Sequence, residues 1–168
     1  MVIQDVTRNN NFYGDSALVN RMIDQPLLPY RFQIADLPGD YLNLITQHSY
    51  TVEEARDLIN RHLLARGYTL LVVNEVLTVA KTENINAALV PRVEPDELAG
   101  RRPHEYVKVS FPLDWMIAET AVEELKPMLS PNGKLTALKT TNRLEALDAV
   151  ANLRELYAVL TREQSTTS

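Results

Sequence analysis

No cysteine occurs in the 168 residues, which removes disulfide frameworks, thiolate metal sites and cysteine nucleophiles together. Glycine is scarce: five residues, scattered, with no GxGxxG or GxxxxGK[ST] run to cradle phosphates. No apolar run approaches the roughly 20 residues that a membrane-spanning helix needs. The opening MVIQDVTRNNN lacks the basic and apolar regions of a secretory signal, so no signal peptide is expected in these residues. Positive charge is not concentrated either. The formal net charge is −5 and the longest basic cluster is Arg101-Arg102, whereas phosphate contact needs a concentrated basic surface.

What is present fits a soluble globular protein, with 45% hydrophobic and 23% charged residues. The length allows one ordinary domain or two small ones. Two modules of about eighty residues would each bury only about 60% of their unfolded surface and would be marginal alone.

The stretch 49–81, SYTVEEARDLINRHLLARGYTLLVVNEVLTVAK, organises the first half. Thr51 and Glu54 have the spacing of a capping box, and Tyr50 is placed to staple against Ala55. Val52, Ala55, Leu58, Ile59 and Leu63 recur at helical spacing, and Gly67 supplies a left-handed end. Residues 68–73 and 76–81 then read as a hairpin around Asn74-Glu75, a weaker two-residue turn than Asn-Gly. Upstream, residues 2–6 read as a short strand. Asp15 caps a helix running through Asp24 on Leu18, Val19, Met22 and Ile23, and Pro26 and Pro29 end it. Alternation over 30–35 and the run 41–46 give two more strands around the turn LPGD. The first module therefore spans residues 1–83 in the order (β)αββαββ.

Residues 84–104 carry three prolines, one glycine and mixed charge without a sustained period. They read as a linker, with Leu89, Val90 and Val93 as pins to a neighbouring sheet. The second module spans 105–162. In it Val107, Val109 and Phe111 alternate along a strand ending at Pro112. A helix over 118–128 uses Ala121, Val122, Leu125 and Leu129, and Pro127 closes it. The turn SPNG at 130–133 leads to a strand over 134–139 and a short strand over 143–147. Asp148 then caps a final helix carrying Val150, Leu153, Tyr157 and Leu160, and residues 163–168 form a disordered tail. The fold class is α+β: two small helix-on-sheet modules, the second βαββα with a KH-like topology. No internal repeat links them.

Candidates for chemistry are few. His48, His62 and His104 have no carboxylate or second histidine at metal-clamp spacing. Glu53-Glu54 and Glu123-Glu124 are adjacent on helices, so they do not face one another. Glu54 is used in capping and the others belong to solvated faces. Ser49 and Ser130 lack a nearby base. Trp115, at a strand-to-helix junction, is expected to pack over the sheet end rather than to meet a partner. The βαββα order resembles nucleic-acid-binding KH modules, but those need a GXXG loop with basic flanks. No catalytic, cofactor-binding or metal-binding residue is assigned.

Three stretches together resemble a family. YTVEEARDLINRHLLAR followed by GYTLLVVNEVLTVAK is similar to the short N-terminal module of bacterial secretins and TonB-dependent receptors. VKVSFPLDWMIAETAVEELKPMLSPNGKLTALKTTNRLEALD is similar to the secretin N-terminal repeat that follows it, and LVPRVEPDEL fits the connection. The resemblance covers roughly residues 41–160. Ile117 stands where the family has a serine or threonine helix cap, RLEAL at 143–147 is less β-branched than the family strand, and the first forty residues match poorly. No β-rich pore region occurs in these residues, so they are expected not to form the channel itself. The resemblance implies a non-enzymatic interaction and ring-assembly module in bacterial protein secretion or pilus export. Its partners would be copies of itself and inner-membrane secretion-system proteins. Its place would be the periplasm, as part of an outer-membrane protein of the cell envelope. No cofactor is implied. Charged pairs such as Arg61 and Arg66 on one helix and Glu119 and Glu123 on another would serve such contacts. The alternatives are a small KH-like nucleic-acid-binding protein and an enzyme dependent on a metal or cofactor.

Overall fold

The computed structural model describes residues 31–33 and 49–166, which fall into two compact units dividing between Ile85 and Asn86. The expected strands at 2–6 and 41–46 and the helix at 15–24 lie outside the described residues. Each unit is a small α+β body with its own sheet.

In the first unit, helix α1 (Val52–Leu64) begins with the expected capping box. The Thr51 hydroxyl accepts from the Glu54 amide at 3.2 Å, and the Glu54 carboxylate accepts from the Thr51 amide at 2.8 Å. Ala55, Ile59 and Leu63 are buried, and so is Asn60. A buried amide needs partners. Asn60 Oδ1 accepts from the Thr69 hydroxyl at 2.8 Å and the Leu70 amide at 3.1 Å, which ties the helix to the next strand. Gly67 turns left-handed at φ 82°. The strands are β1 (Arg31–Gln33), β2 (Tyr68–Val73) and β3 (Val76–Lys81), in the order β1-β3-β2. Strands β2 and β3 form the hairpin, Val73 opposite Val76, and β1 runs parallel to β3 with Arg31 opposite Val76. Asn74 and Glu75 both take positive φ, 50° and 63°, so the turn is of the type whose twist suits a hairpin.

The second unit contains β4 (Tyr106–Pro112), α2 (Ala118–Leu125), β5 (Lys134–Leu138), β6 (Arg143–Ala149) and α3 (Val150–Ser165). Strand order is β4-β6-β5, antiparallel at both pairings, with Val109 and Leu135 both opposite Ala146. Val107, Val109, Phe111, Leu144 and Leu135 meet Ala121, Leu125, Val150, Leu153, Leu156 and Leu160 in one core. The helices thus cover one face of the sheet. On the last helix Leu156, not Tyr157, completes the buried stripe. That helix also runs to Ser165, so residues 163–165, expected in a disordered tail, are helical.

Two further expectations are corrected. The expected linker 84–104 is buried at Val90 and Val93, two of its three expected pins, but from residue 86 it is more structured than a linker. It carries 3-10 turns at Ala87–Leu89 and Pro95–Gly100 and buries Val90, Val93 and Leu98. The Lys108 amide donates to Pro91 O and the Val93 amide to Lys108 O, both at 3.0 Å, so this strap lies along the outer edge of β4. The Arg92 guanidinium holds Glu145 of β6 through two hydrogen bonds, 2.5 and 3.2 Å. Leu98 and the strand bridge at Arg92 are not legible in the sequence, because a single apolar contact and a single bridge need no periodicity. Nor does Asp148 cap α3. The N-cap is Ala149, without a side-chain bond, and Asp148 is buried as the second-last residue of β6. Its carboxylate accepts from the Ser130 amide and hydroxyl at 2.7 Å each, the Ala149 amide at 2.8 Å and the Asn152 side chain at 3.1 Å. Burial makes these four donors necessary, since an unpaired carboxylate there would be costly.

Gly133 shows how tightly that corner is packed. A Cβ there would stand 2.7 Å from Asp148 Oδ2 and 2.9 Å from Leu129 Cβ, while one at Gly100 would meet nothing within 4 Å. Gly133→Ala is expected to cost about 1–3 kcal/mol, and Gly100→Ala to stay within about 0.5 kcal/mol of the parent. Urea unfolding of both checks this. Tyr106 lies beside the same corner, its hydroxyl 3.5 Å from the carbonyls of Asn132 and Leu147. Burial first, and the Asp148 charge second, hold its phenol well above the ordinary tyrosine range. The folded chain therefore keeps this proton after the unfolded chain has lost it. Its contribution is constant below about pH 10 and is lost above it. Denaturant midpoints from pH 9 to 11 are expected to fall less steeply for Tyr106→Phe than for the parent.

Candidate interaction surfaces

The residues weighed for chemistry do not assemble into a catalytic site. Glu53 is exposed, Glu54 serves the cap, and Glu123 and Glu124 lie exposed on α2. His62 and His104 are half-buried on α1 and in the turn before β4, and His48 lies outside the described residues. Ser49 is exposed. Ser130 does find a carboxylate, Asp148, eighteen residues away. That carboxylate has its acceptor positions filled by four donors, so it fixes a turn and activates nothing. Among the described residues no group of His, Asp and Glu is placed to hold a metal ion. No helix among them is long and apolar enough to cross a membrane. Arg61 is exposed on α1, and Arg66 lies just beyond its end.

The more informative chemistry lies in the loop 113–117, between β4 and α2. Ile117 is the N-cap of α2 and has no side-chain oxygen to offer. Asn142, across the unit, supplies it. Its Oδ1 accepts from the Ala118 amide at 2.9 Å, and its Nδ2 donates to Met116 O at 2.8 Å and Leu113 O at 3.3 Å. Its own carbonyl accepts from the Leu113 amide at 3.1 Å. To reach these groups Asn142 adopts the left-handed region, φ 48° and ψ 56°, which asparagine tolerates better than most residues. The Asp114 amide is held in turn by Gln164 Oε1 of α3, at 2.5 Å.

The consequence is a loop fixed at several points that holds apolar side chains in water. Trp115 is 52% exposed and Ile117 61%. Trp115 therefore does not cover the sheet end as expected, because Met116 turns inward and packs against the core there. Leu138, 39% exposed at the end of β5, adds to this surface. Pro112, Arg143 and Leu138 stand in one cross-strand row, which places Leu138 at the same end of the sheet as the loop. Next to it the Lys139 ammonium pairs with Glu119 of α2 at 2.9 Å, and that hydrogen bond and charge hold its pKa above the ordinary lysine value. Strand β5 has no strand partner on its outer side among the described residues.

A second surface is an open cleft of about 480 Å³ between α3 and the turn Pro95–Gly100. Pro95, Leu98, Ala99, Tyr157 and Ala158 form much of its wall, with Arg154 and Arg162 also lining it. Arg154 is occupied: its guanidinium donates to Leu98 O at 2.8 Å, to Ala99 O at 3.3 Å and to Arg101 O. Arg162 is exposed. The Tyr157 ring stacks on Phe111 with centroids 5.7 Å apart, so the cleft wall is anchored to the core.

No protein-family model matches the chain, and no curated protein matches it. Solved structures do. One chain of the Klebsiella pneumoniae type II secretion system outer membrane complex, comprising PulD, PulS and the PulC HR domain, is similar with a TM-score of 0.72 and 15% identity. The match covers 87% of this chain and 24% of that one, and it shows a shared fold. The N-terminal domain of the secretin XcpQ from Pseudomonas aeruginosa matches at a TM-score of 0.35 and 10% identity over 88% of this chain. The GspC–GspD complex of enterotoxigenic Escherichia coli matches at 0.34 and 13%. These two matches are too loose to bear on the fold. The chain spans 60% of the XcpQ chain's length.

If Asn142 sets the loop, Asn142→Ala is expected to destabilise the protein by about 1–3 kcal/mol through three lost side-chain bonds. Asn142→Gly, which tolerates the left-handed backbone, should lose less than Asn142→Ala. Chemical denaturation of the two variants checks the order.

Proposed function

We propose that the chain is a non-enzymatic protein–protein interaction and assembly module of a secretin-like protein, acting in the periplasm in bacterial protein secretion or pilus export. The observation that carries this reading is the loop 113–117. Large apolar side chains held outward by hydrogen bonds from two other elements are costly in water and useful against a partner. The shared fold with a chain of a type II secretion complex supports the same reading. So do the motif runs from Tyr50 to Lys81 and from Val107 to Asp148. In this reading the first unit is the secretin and TonB short N-terminal-like module. The second is the secretin N-terminal repeat-like module, enlarged by its strap. Partners are copies of the chain, arranged in a ring, and inner-membrane secretion proteins. No observation favours nucleic-acid binding.

Sedimentation velocity of the full chain across a concentration series tests the reading. Self-association with a dissociation constant in the micromolar range, about −8 kcal/mol, is expected. A chain that remains monomeric to about 100 µM would leave the assembly reading without support.

A further inference from the structure

We propose that the loop 113–117 of one copy seats in the α3 cleft of a second copy, with Trp115 as the anchor and the Asp114 carboxylate against the Arg162 guanidinium. This deepens the assembly reading and rests on it. Three observations point to a second copy of this chain.

First, the loop is preorganised. Asn142 brackets it at Leu113, Met116 and Ala118, and Gln164 holds Asp114, so seating it costs little ordering entropy. A tryptophan so held fits the residue type that dominates interface energetics. Second, the cleft is a suitable receptor. Its volume of about 480 Å³ exceeds what an indole ring occupies, and Leu98, Tyr157 and Ala158 give it apolar walls. Third, the charges are complementary. The loop carries the exposed Asp114 beside the apolar pair Trp115 and Ile117, while Glu119 on α2 is already paired with Lys139. The cleft offers the exposed Arg162 as its available cation, with Asp96 also in its lining and Arg154 already used to hold the turn Pro95–Gly100. Loop and cleft are different surfaces of one unit. Each copy therefore carries one of each, and the contact can repeat from copy to copy.

Trp115 is the only tryptophan, so its emission reports the contact in the unmodified full chain. Emission is expected to shift from a water-exposed to a shorter-wavelength maximum as concentration rises, in step with sedimentation. Ile117→Asp and Arg162→Glu are each expected to weaken association about tenfold or more. Asp114→Arg alone should also weaken it, and Asp114→Arg combined with Arg162→Asp should recover most of the loss. Circular dichroism and denaturant midpoints of each variant show whether the fold is kept. Association with Trp115 emission unchanged would overturn this contact and leave the assembly reading intact. Blue-shifted emission independent of concentration would also overturn it, since the ring would then be covered within its own chain. No association at any concentration would remove the reading beneath it.

Discussion

Strand β6 clamps both ends of the connection that carries α2. Just before its first residue, Asn142 reaches back to bond Leu113, Met116 and the first amide of α2. Near its end, buried Asp148 takes the amide and hydroxyl of Ser130, where the chain leaves α2 for β5. In its middle, Glu145 receives Arg92 of the strap. A central strand of an antiparallel sheet cannot shift register without turning its whole core face outward. Groups bonded to it inherit that fixity. The loop's apolar display and the tight SPNG turn follow from one well-placed strand, and the strap on the edge of β4 is tied to it through Arg92.

How much of this was legible in the sequence differs by the kind of signal. The capping box at Thr51 and Glu54 and the βαββα order rest on local periodicity and cap chemistry, and both are present in the fold. The strand that matters most was the least conspicuous, because Arg143–Ala149 contains no β-branched residue. Pairing on both sides and a buried face outweigh intrinsic propensity there. The roles of Asn142 and Asp148 were hidden for another reason. Both act on residues 18 to 29 positions away, and spacing rules see only neighbours. The two available signals were an asparagine before a strand and an aspartate within an otherwise apolar strand end. Position alone makes Trp115 look like a packing residue, because aromatic rings at sheet ends commonly pack; its neighbour Met116 takes that place.

The strap makes a physical point about small modules. A body of about eighty residues has little core to spare. Residues 86–104 add Val93 and Leu98 to that core and close the exposed edge of β4. An uncovered edge invites unwanted strand pairing. With that edge covered, the second unit turns specific surfaces outward: an apolar loop rimmed by carboxylates, and a cleft carrying an exposed arginine. Surfaces of that kind are what the proposed contact role would use.

The central claim is that loop, strap and sheet of the second unit form one rigid body pinned to β6. Native-state hydrogen exchange tests it most directly. The amides of Leu113, Ala118 and Ser130, with those of Val93 and Lys108, are expected to exchange as slowly as the β4–β6 ladder. Exchange at these five positions as fast as in an open loop, with the ladder still protected, would contradict the account.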